Sequence, residues 1–375
     1  MICHLTSSYP TSRVPYSGHF IHALARQQQL TGSGVLVIAP EADRPAALRE
    51  TGEPRLVTFE AGTGFDLPGG LKALLETKPA ATSARLPGYL QKMLMAVLDQ
   101  ARTAEVIHAH WLAPAGIVAL IARAAIGIPV CLTARGSDVT LLEKLPAAAA
   151  LLFAGVPVAA VSDPLAARLR ALGLVRVRTI AQPAATGTGE PPPWTSRDRS
   201  RFGWAGSLVP GKRPDLAIEA VRLLPGATLD ILGDGPLRAE LEKTCTDNGL
   251  GGRVRFHGAV PPDSIPAFLK EISALVFTSE AEGRPNIVLE AVLTGTPVIA
   301  SAIPAVTELR GLGGNFRPFA PGSAGELAAA MRDHMASLMQ SRQMAEAARA
   351  GIRLPSWPET LESYAELYRS AAAAV

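Results

Sequence analysis

Two carboxylates, Glu282 and Glu290, stand with seven residues between them in the string E-G-R-P-N-I-V-L-E. Ionised carboxylates are bare hydrogen-bond acceptors, so a pair at a loop suits the hydroxyl groups of a sugar or a ribose. Glutamates at this spacing also occur on ordinary helix surfaces. Between them lie Gly283, Arg284, Pro285, Asn286 and Ile287, where a loop passes into a helix. A helix start presents free backbone N–H groups, which suit an anion or an array of hydroxyls. The surrounding pattern explains the placement. Residues 274–277 are a short apolar run of strand length, and 278–283 are small and acidic, as in a loop. Pro285 suits a first helical turn, 286–293 carry the helix, Gly295 ends it, and 298–300 read as the next buried strand.

Other residues of chemical interest also follow strands. Lys212 closes G-S-L-V-P-G-K, after a strand at 201–205 and before a helix at 214–224. By spacing alone it reads as a solvated lysine. Gly18 stands where a loop meets a helix (18–30), between strands at 2–6 and 34–40. A glycine at that junction lets a ligand approach the backbone, so Gly18, His19 and Phe20 could face a diphosphate. A plain helix start explains the same spacing equally well.

His108 and His110 end a strand at 105–111, and alternation puts both on one face. No third ligand stands at a sensible spacing, so no metal site is expected. Groups at strand ends line the crevice of open α/β sheets, so one of the two is expected there, with a satisfied core histidine as the alternative for each. Arg135 and Asp138 follow the 128–133 strand in A-R-G-S-D. By position they read as a surface arginine and a helix N-cap aspartate.

With 375 residues, 48% hydrophobic and 18% charged, the chain has room for two α/β domains. A formal charge of +3, with no basic run or interleaved aromatic stripe, gives no argument for nucleic acid. Cys3, Cys131 and Cys245 are far apart, which suggests buried thiols in a reducing cytosol rather than a zinc site or disulfides. The start lacks a signal-peptide pattern, and the uncharged run 145–162 is broken by Pro146, Gly155 and Pro157. A cytoplasmic protein is expected. Residues 71–102 read as helical, basic and apolar, hence an ordinary packed helix pair or a peripheral contact with the inner face of the plasma membrane. The aperiodic, proline-rich 181–200 is the clearest domain boundary.

The string from Glu282 to Glu290, followed by G-T-P-V-I-A-S, resembles the E-x7-E signature of retaining glycosyltransferases of family 4. The Y-P…G-H-F pattern resembles a subset that makes cell-surface polysaccharides. This resemblance implies an α/β GT-B fold: two Rossmann-like doubly wound domains facing each other across a cleft. Residues 1–182 would be the acceptor domain, 183–200 a linker, 201–356 the nucleotide-sugar donor domain, and 357–375 a helix returning to the first domain. It also implies that Glu290 holds ribose hydroxyls, and that Glu282 with the loop amides holds the donor sugar. Lys212 and Gly18 would act on the diphosphate, with His110 near the donor sugar. His19, Arg135 and Asp138 would lie on the acceptor side.

The implied catalytic set is Glu282, His110 and Lys212, with retention of configuration and the departing phosphate assisting the acceptor. Glu282 as a covalent nucleophile is the alternative. A UDP- or GDP-linked sugar would be the substrate, with a saccharide or lipid-linked saccharide as acceptor. No D-x-D pair occurs, so no metal or other cofactor is expected. The sequence departs from the family pattern at three places. Ser207 stands at the place of an arginine, Arg135 at that of a histidine, and Gln182-Pro183-Ala184 where relatives carry N-G-V-D. These departures motivate a second reading, a non-catalytic nucleotide-sugar-binding or scaffold relative. A sugar-nucleotide epimerase of the same fold is a third.

Overall fold

Short runs rich in Val, Ile, Leu and Ala alternate with amphipathic helices along the chain. A strand apolar on both faces must be covered on both, and the solution is a parallel sheet between helix layers. The computed structural model describes residues 1–12, 14–44, 48, 52–61, 79–184 and 198–374. The chain divides into two compact units, Met1–Pro183 with Pro355–Val375, and Ala184–Leu354.

The first unit is built on seven parallel strands: β1 (Ile2–Leu5), β2 (Val35–Pro40), β3 (Arg55–Phe59), β4 (Val106–His110), β5 (Val130–Ala134), β6 (Val158–Ala160) and β7 (Val177–Thr179). Their order is β3-β2-β1-β4-β5-β6-β7. Chain order reverses between β1 and β4, so the loops leaving those strands diverge and open a crevice at their carboxyl ends. The helix Trp357–Ala372 belongs to this unit; it buries Tyr364, Leu367 and Ala371 and begins with a capping box of Ser356 and Glu359.

The second unit has six parallel strands: β8 (Arg201–Ala205), β9 (Thr228–Leu232), β10 (Val254–Gly258), β11 (Ala274–Phe277), β12 (Val298–Ser301) and β13 (Arg317–Phe319). Their order is β10-β9-β8-β11-β12-β13, with the switch point between β8 and β11. Two doubly wound sheets agree with the expected fold class.

Some elements escape the sequence reading. β3 is a half-exposed edge strand with a weak apolar signal, and β13 has only three residues. The segment Pro304–Gly311 is a helix with proline in its first turn. Residues 71–78 of the expected basic helix lie outside the described residues. The part at Pro79–Gln100 buries Tyr89, Met93 and Val97, as a packed helix does. Among the described residues, no helix is long and apolar enough to cross a membrane.

Candidate active site

In the second unit, the loops leaving β8, β9 and β11 are tied together at the switch point. Gly233 (φ 135°) and Gly206 (φ 159°) meet so closely that a Cβ on Gly233 would lie 1.8 Å from the Gly206 carbonyl oxygen. The indole of Trp204 donates to Thr278 Oγ1 at 2.9 Å, and that hydroxyl donates to the Lys212 carbonyl at 2.7 Å. Glu280 N–H donates to the Gly211 carbonyl at 3.0 Å. These bonds bring Lys212 Nζ to 2.6 Å from Glu282 Oε1, which also accepts from Ser279 Oγ at 3.0 Å. The ammonium and the first glutamate of the motif are therefore one ion pair, partly open to solvent.

Glu290 sits in the helix Asn286–Leu293 and is 7% exposed. Its carboxylate has no hydrogen-bond partner among the described residues, and burial raises its pKa from 4.5 to about 7. A buried acceptor without a donor is costly, and hydroxyl donors from a ligand would satisfy it.

The loop amides are fewer than the sequence suggested. Pro285 has no N–H, and Asn286 N–H turns inward to the Arg284 carbonyl at 3.0 Å. Gly283 and Ile287 keep N–H groups without an acceptor among the described residues. Ser207 is half-buried at the place of the family's arginine. Arg213, next to Lys212 in the chain, is committed to Asp215 at 2.8 Å and Glu280 at 2.5 Å. Arg284 is partly buried in the same loop as Glu282.

In the first unit, the loop after β1 reaches Gly18, whose φ of 64° starts the helix His19–Leu30. A Cβ there would lie 2.3 Å from the Ser8 carbonyl oxygen, so the glycine is required by packing whether or not a ligand approaches. His19 Nδ1 bonds the Tyr16 carbonyl at 2.8 Å.

Asp138 is buried and accepts the backbone N–H groups of Leu112 (2.9 Å), Arg135 (3.1 Å) and Gly136 (2.9 Å). Both of its oxygens are thus used inside the fold, fixing the loops after β4 and β5, rather than turned to an acceptor. Arg135 stacks its guanidinium on Phe20, 3.8 Å from the ring centroid, and Nη2 lies 3.3 Å from His110 Nδ1.

The largest difference from the sequence reading concerns His110. It is fully buried, and its Nε2 lies 2.9 Å from Nδ1 of His4, a residue of β1 that spacing did not single out. Parallel pairing sets His4 opposite His108, and ligand atoms of His4, His108 and His110 lie within 4.8 Å of one another. The third histidine that linear spacing lacked is supplied by the neighbouring strand. Burial is the first cause holding all three well below the ordinary histidine range, His4 at about 4. The His4–His110 contact is at hydrogen-bond length and a guanidinium adjoins it.

Trp111, at the end of the same loop, holds a positive φ of 69° and packs edge-on to Phe20. Backbone strain of this kind concentrates at working sites. It has no signature in sequence.

Comparison with known proteins follows the same division. A 96-residue stretch is 42% identical to the lipopolysaccharide core biosynthesis glycosyltransferase LpsE of Rhizobium meliloti, covering 26% of this chain and 28% of that one. The chain spans about a third of the length of the first curated relatives it matches. The putative teichuronic acid biosynthesis glycosyltransferase TuaC of Bacillus subtilis is 26% identical over 82% of each chain. The crystal structure of Anabaena HepE with UDP and glucose superposes with a TM-score of 0.75 at 19% identity, covering 99% of this chain and 100% of that one. The family described as glycosyl transferase 4-like domain matches residues 17–185, and that described as glycosyl transferases group 1 matches 195–351. With both sheets in the order this fold requires and both halves matched, the chain belongs to the group 1 glycosyltransferases.

Proposed function

We propose that this protein moves a sugar from a UDP- or GDP-linked donor to a saccharide or lipid-linked saccharide acceptor, with retention of configuration and without a metal. The observations that carry the reading are the Lys212–Glu282 ion pair at 2.6 Å and, in the helix that follows the same loop, the buried Glu290. A diphosphate would draw the Lys212 ammonium off Glu282, freeing that carboxylate to accept donor-sugar hydroxyls. Ribose hydroxyls would fill the unmet acceptors of Glu290. The Gly283 and Ile287 N–H groups, with the Arg284 side chain in the same loop, would complete the donor contacts.

Charge developing on the leaving diphosphate needs fixed cations, and Lys212 is the cation best placed in the second unit for that role. The departing phosphate would take the acceptor proton on the same face, leaving Glu282 to orient rather than attack. In the first unit, the Gly18–Phe20 turn and His19 are assigned in this reading to acceptor contacts. Arg135 would be the cation that the first unit supplies. His110 would act on substrate only through Arg135, since its ring is closed off. Relatives in lipopolysaccharide and teichuronic acid synthesis support a surface-polysaccharide acceptor.

The test is turnover and donor binding across UDP- and GDP-sugars with chelator present. One donor bound and transferred, and both lost in Glu290→Gln, supports the reading. Binding without transfer to any acceptor would favour the non-catalytic alternative, which Ser207 at the arginine position motivates.

A further inference from the structure

The three imidazoles are links in a longer chain of hydrogen bonds whose direction can be read without seeing a hydrogen. Arg135 can only donate, so His110 Nδ1, 3.3 Å from its Nη2, must accept. An uncharged imidazole accepting at Nδ1 carries its proton on Nε2. His110 therefore donates to His4 Nδ1 at 2.9 Å. His4 in turn carries its proton on Nε2 and donates to Gln28 Oε1 at 2.7 Å. That fixes the Gln28 amide, whose Nε2 donates to the Tyr368 hydroxyl at 2.8 Å. The hydroxyl proton is then directed to His108 Nδ1 at 3.0 Å, and His108 Nε2–H donates to Thr133 Oγ1 at 2.7 Å. Each link from Arg135 to Gln28 forces the next, and at Tyr368 the hydroxyl proton has His108 Nδ1 as its acceptor among the described residues. Flipping the Gln28 amide would end in two donors facing each other at Arg135, and a second proton on His4 or His110 would likewise set two donors face to face.

We infer that Arg135, His110, His4, Gln28, Tyr368, His108 and Thr133 form one directional relay holding all three imidazoles as the Nε2–H tautomer, and that Gln28 and Tyr368 are positioning residues that fix the Arg135 guanidinium. Arg135 is then held at three points. Its backbone N–H is bound by Asp138, its face rests on Phe20, and its Nη2 is bound by the relay. Among the described residues its other guanidinium nitrogens have no hydrogen-bond partner, so the relay leaves donors for a ligand. Burial keeps the rings uncharged, and the charged or titratable groups facing them are Arg135, Asp138, Tyr364, Tyr368 and Cys131. Burial also holds the Tyr368 hydroxyl and the Cys131 thiol protonated, so Arg135 is the cation at the head of the relay. That Arg135 then serves turnover rests on the transferase reading above; the tautomers do not.

The experiment is histidine-ring 15N NMR on the full chain from pH 5 to 8, joined to kinetics of Tyr368→Phe and Thr133→Val. All three buried rings should show an acceptor Nδ1 and a protonated Nε2, unchanged across that range. An Nδ1–H tautomer, a doubly protonated ring, or a shift of all three rings on adding zinc would overturn the relay. In Tyr368→Phe the His108 signal should split or average between tautomers, and turnover should fall about tenfold at unchanged donor KM. Thr133→Val should disturb the His108 ring while leaving His4 and His110 as they are. Correct tautomers with turnover unchanged in Tyr368→Phe would refute the positioning role. No turnover in the wild type with any donor would remove the transferase reading and leave the tautomer result to stand.

Discussion

Lys212 and Glu282 lie in loops leaving two different strands, yet their side chains meet at 2.6 Å. The pair is 31% and 18% exposed, so it is neither a fully screened surface contact nor a sealed one. Its worth to stability is therefore about 1 kcal/mol or less, and its main effect is to hold a cation and an acceptor ready at one place. Lys212→Ala should lower kcat about 100-fold while shifting the unfolding temperature by no more than a few degrees. Steady-state kinetics beside a thermal melt checks both halves. A large loss of stability with little loss of turnover would make the pair structural.

The buried Glu290 gives a pH prediction with a definite sign. Its folded pKa, about 7, is above the unfolded 4.5, so the folded state binds the extra proton. Its contribution is fully present below pH 4.5 and is lost as pH rises through about 7. At about 1.4 kcal/mol per tenfold change, the cost above that pH is roughly 3 kcal/mol. Glu290→Gln should therefore raise stability at pH 8 and leave it unchanged near pH 4, as urea unfolding would show. The same variant should bind donor more weakly. Donor binding to the wild type near pH 6.5 should release protons, visible as a buffer-dependent heat in calorimetry.

Gly18 tests the entry to the first unit. With φ 64° and a Cβ position 2.3 Å from the Ser8 carbonyl oxygen, Gly18→Ala meets both backbone strain and a clash. A loss of about 2–4 kcal/mol is expected, measured by chemical unfolding. A neutral substitution would mean the β1 loop is not held against this turn.

Asp138→Ala removes the acceptor of three backbone N–H groups in buried loops. Each orphaned donor costs about 1–3 kcal/mol, so a loss of roughly 3 kcal/mol or more is expected. Asp138→Asn should recover part of it, since the amide oxygen still accepts. Equal damage from both would argue that the carboxylate's charge matters more than its shape.

Ser207→Arg restores the cation of the family pattern beside a loop already carrying Lys212. Donor affinity should rise about fivefold or more, most at low salt, because a second cation would share the diphosphate charge. Unchanged affinity in a folded variant would show that this protein neutralises the donor elsewhere.

Local sequence was sufficient to read the region from Ala274 to Ser301, where strand, loop, helix and strand follow from proline, glycine and apolar spacing. It also placed Glu282 and Lys212 in loops after strands and Glu290 in the following helix, because those signals span only a few residues each. It missed β3, β13 and the helix at Pro304–Gly311, where short or half-exposed elements leave weak periodicity.

What only the tertiary structure decided is the company each residue keeps. No spacing rule links His4 to His108, since their meeting depends on the parallel register of β1 with β4. Gln28 and Tyr368 are ordinary helical residues until the last helix packs against the first unit and closes the relay. Asp138 reads as a possible ligand until three amides are found on it. Periodicity is a local property of the chain, whereas register, burial and hydrogen-bond direction are set by strands and helices far apart in sequence.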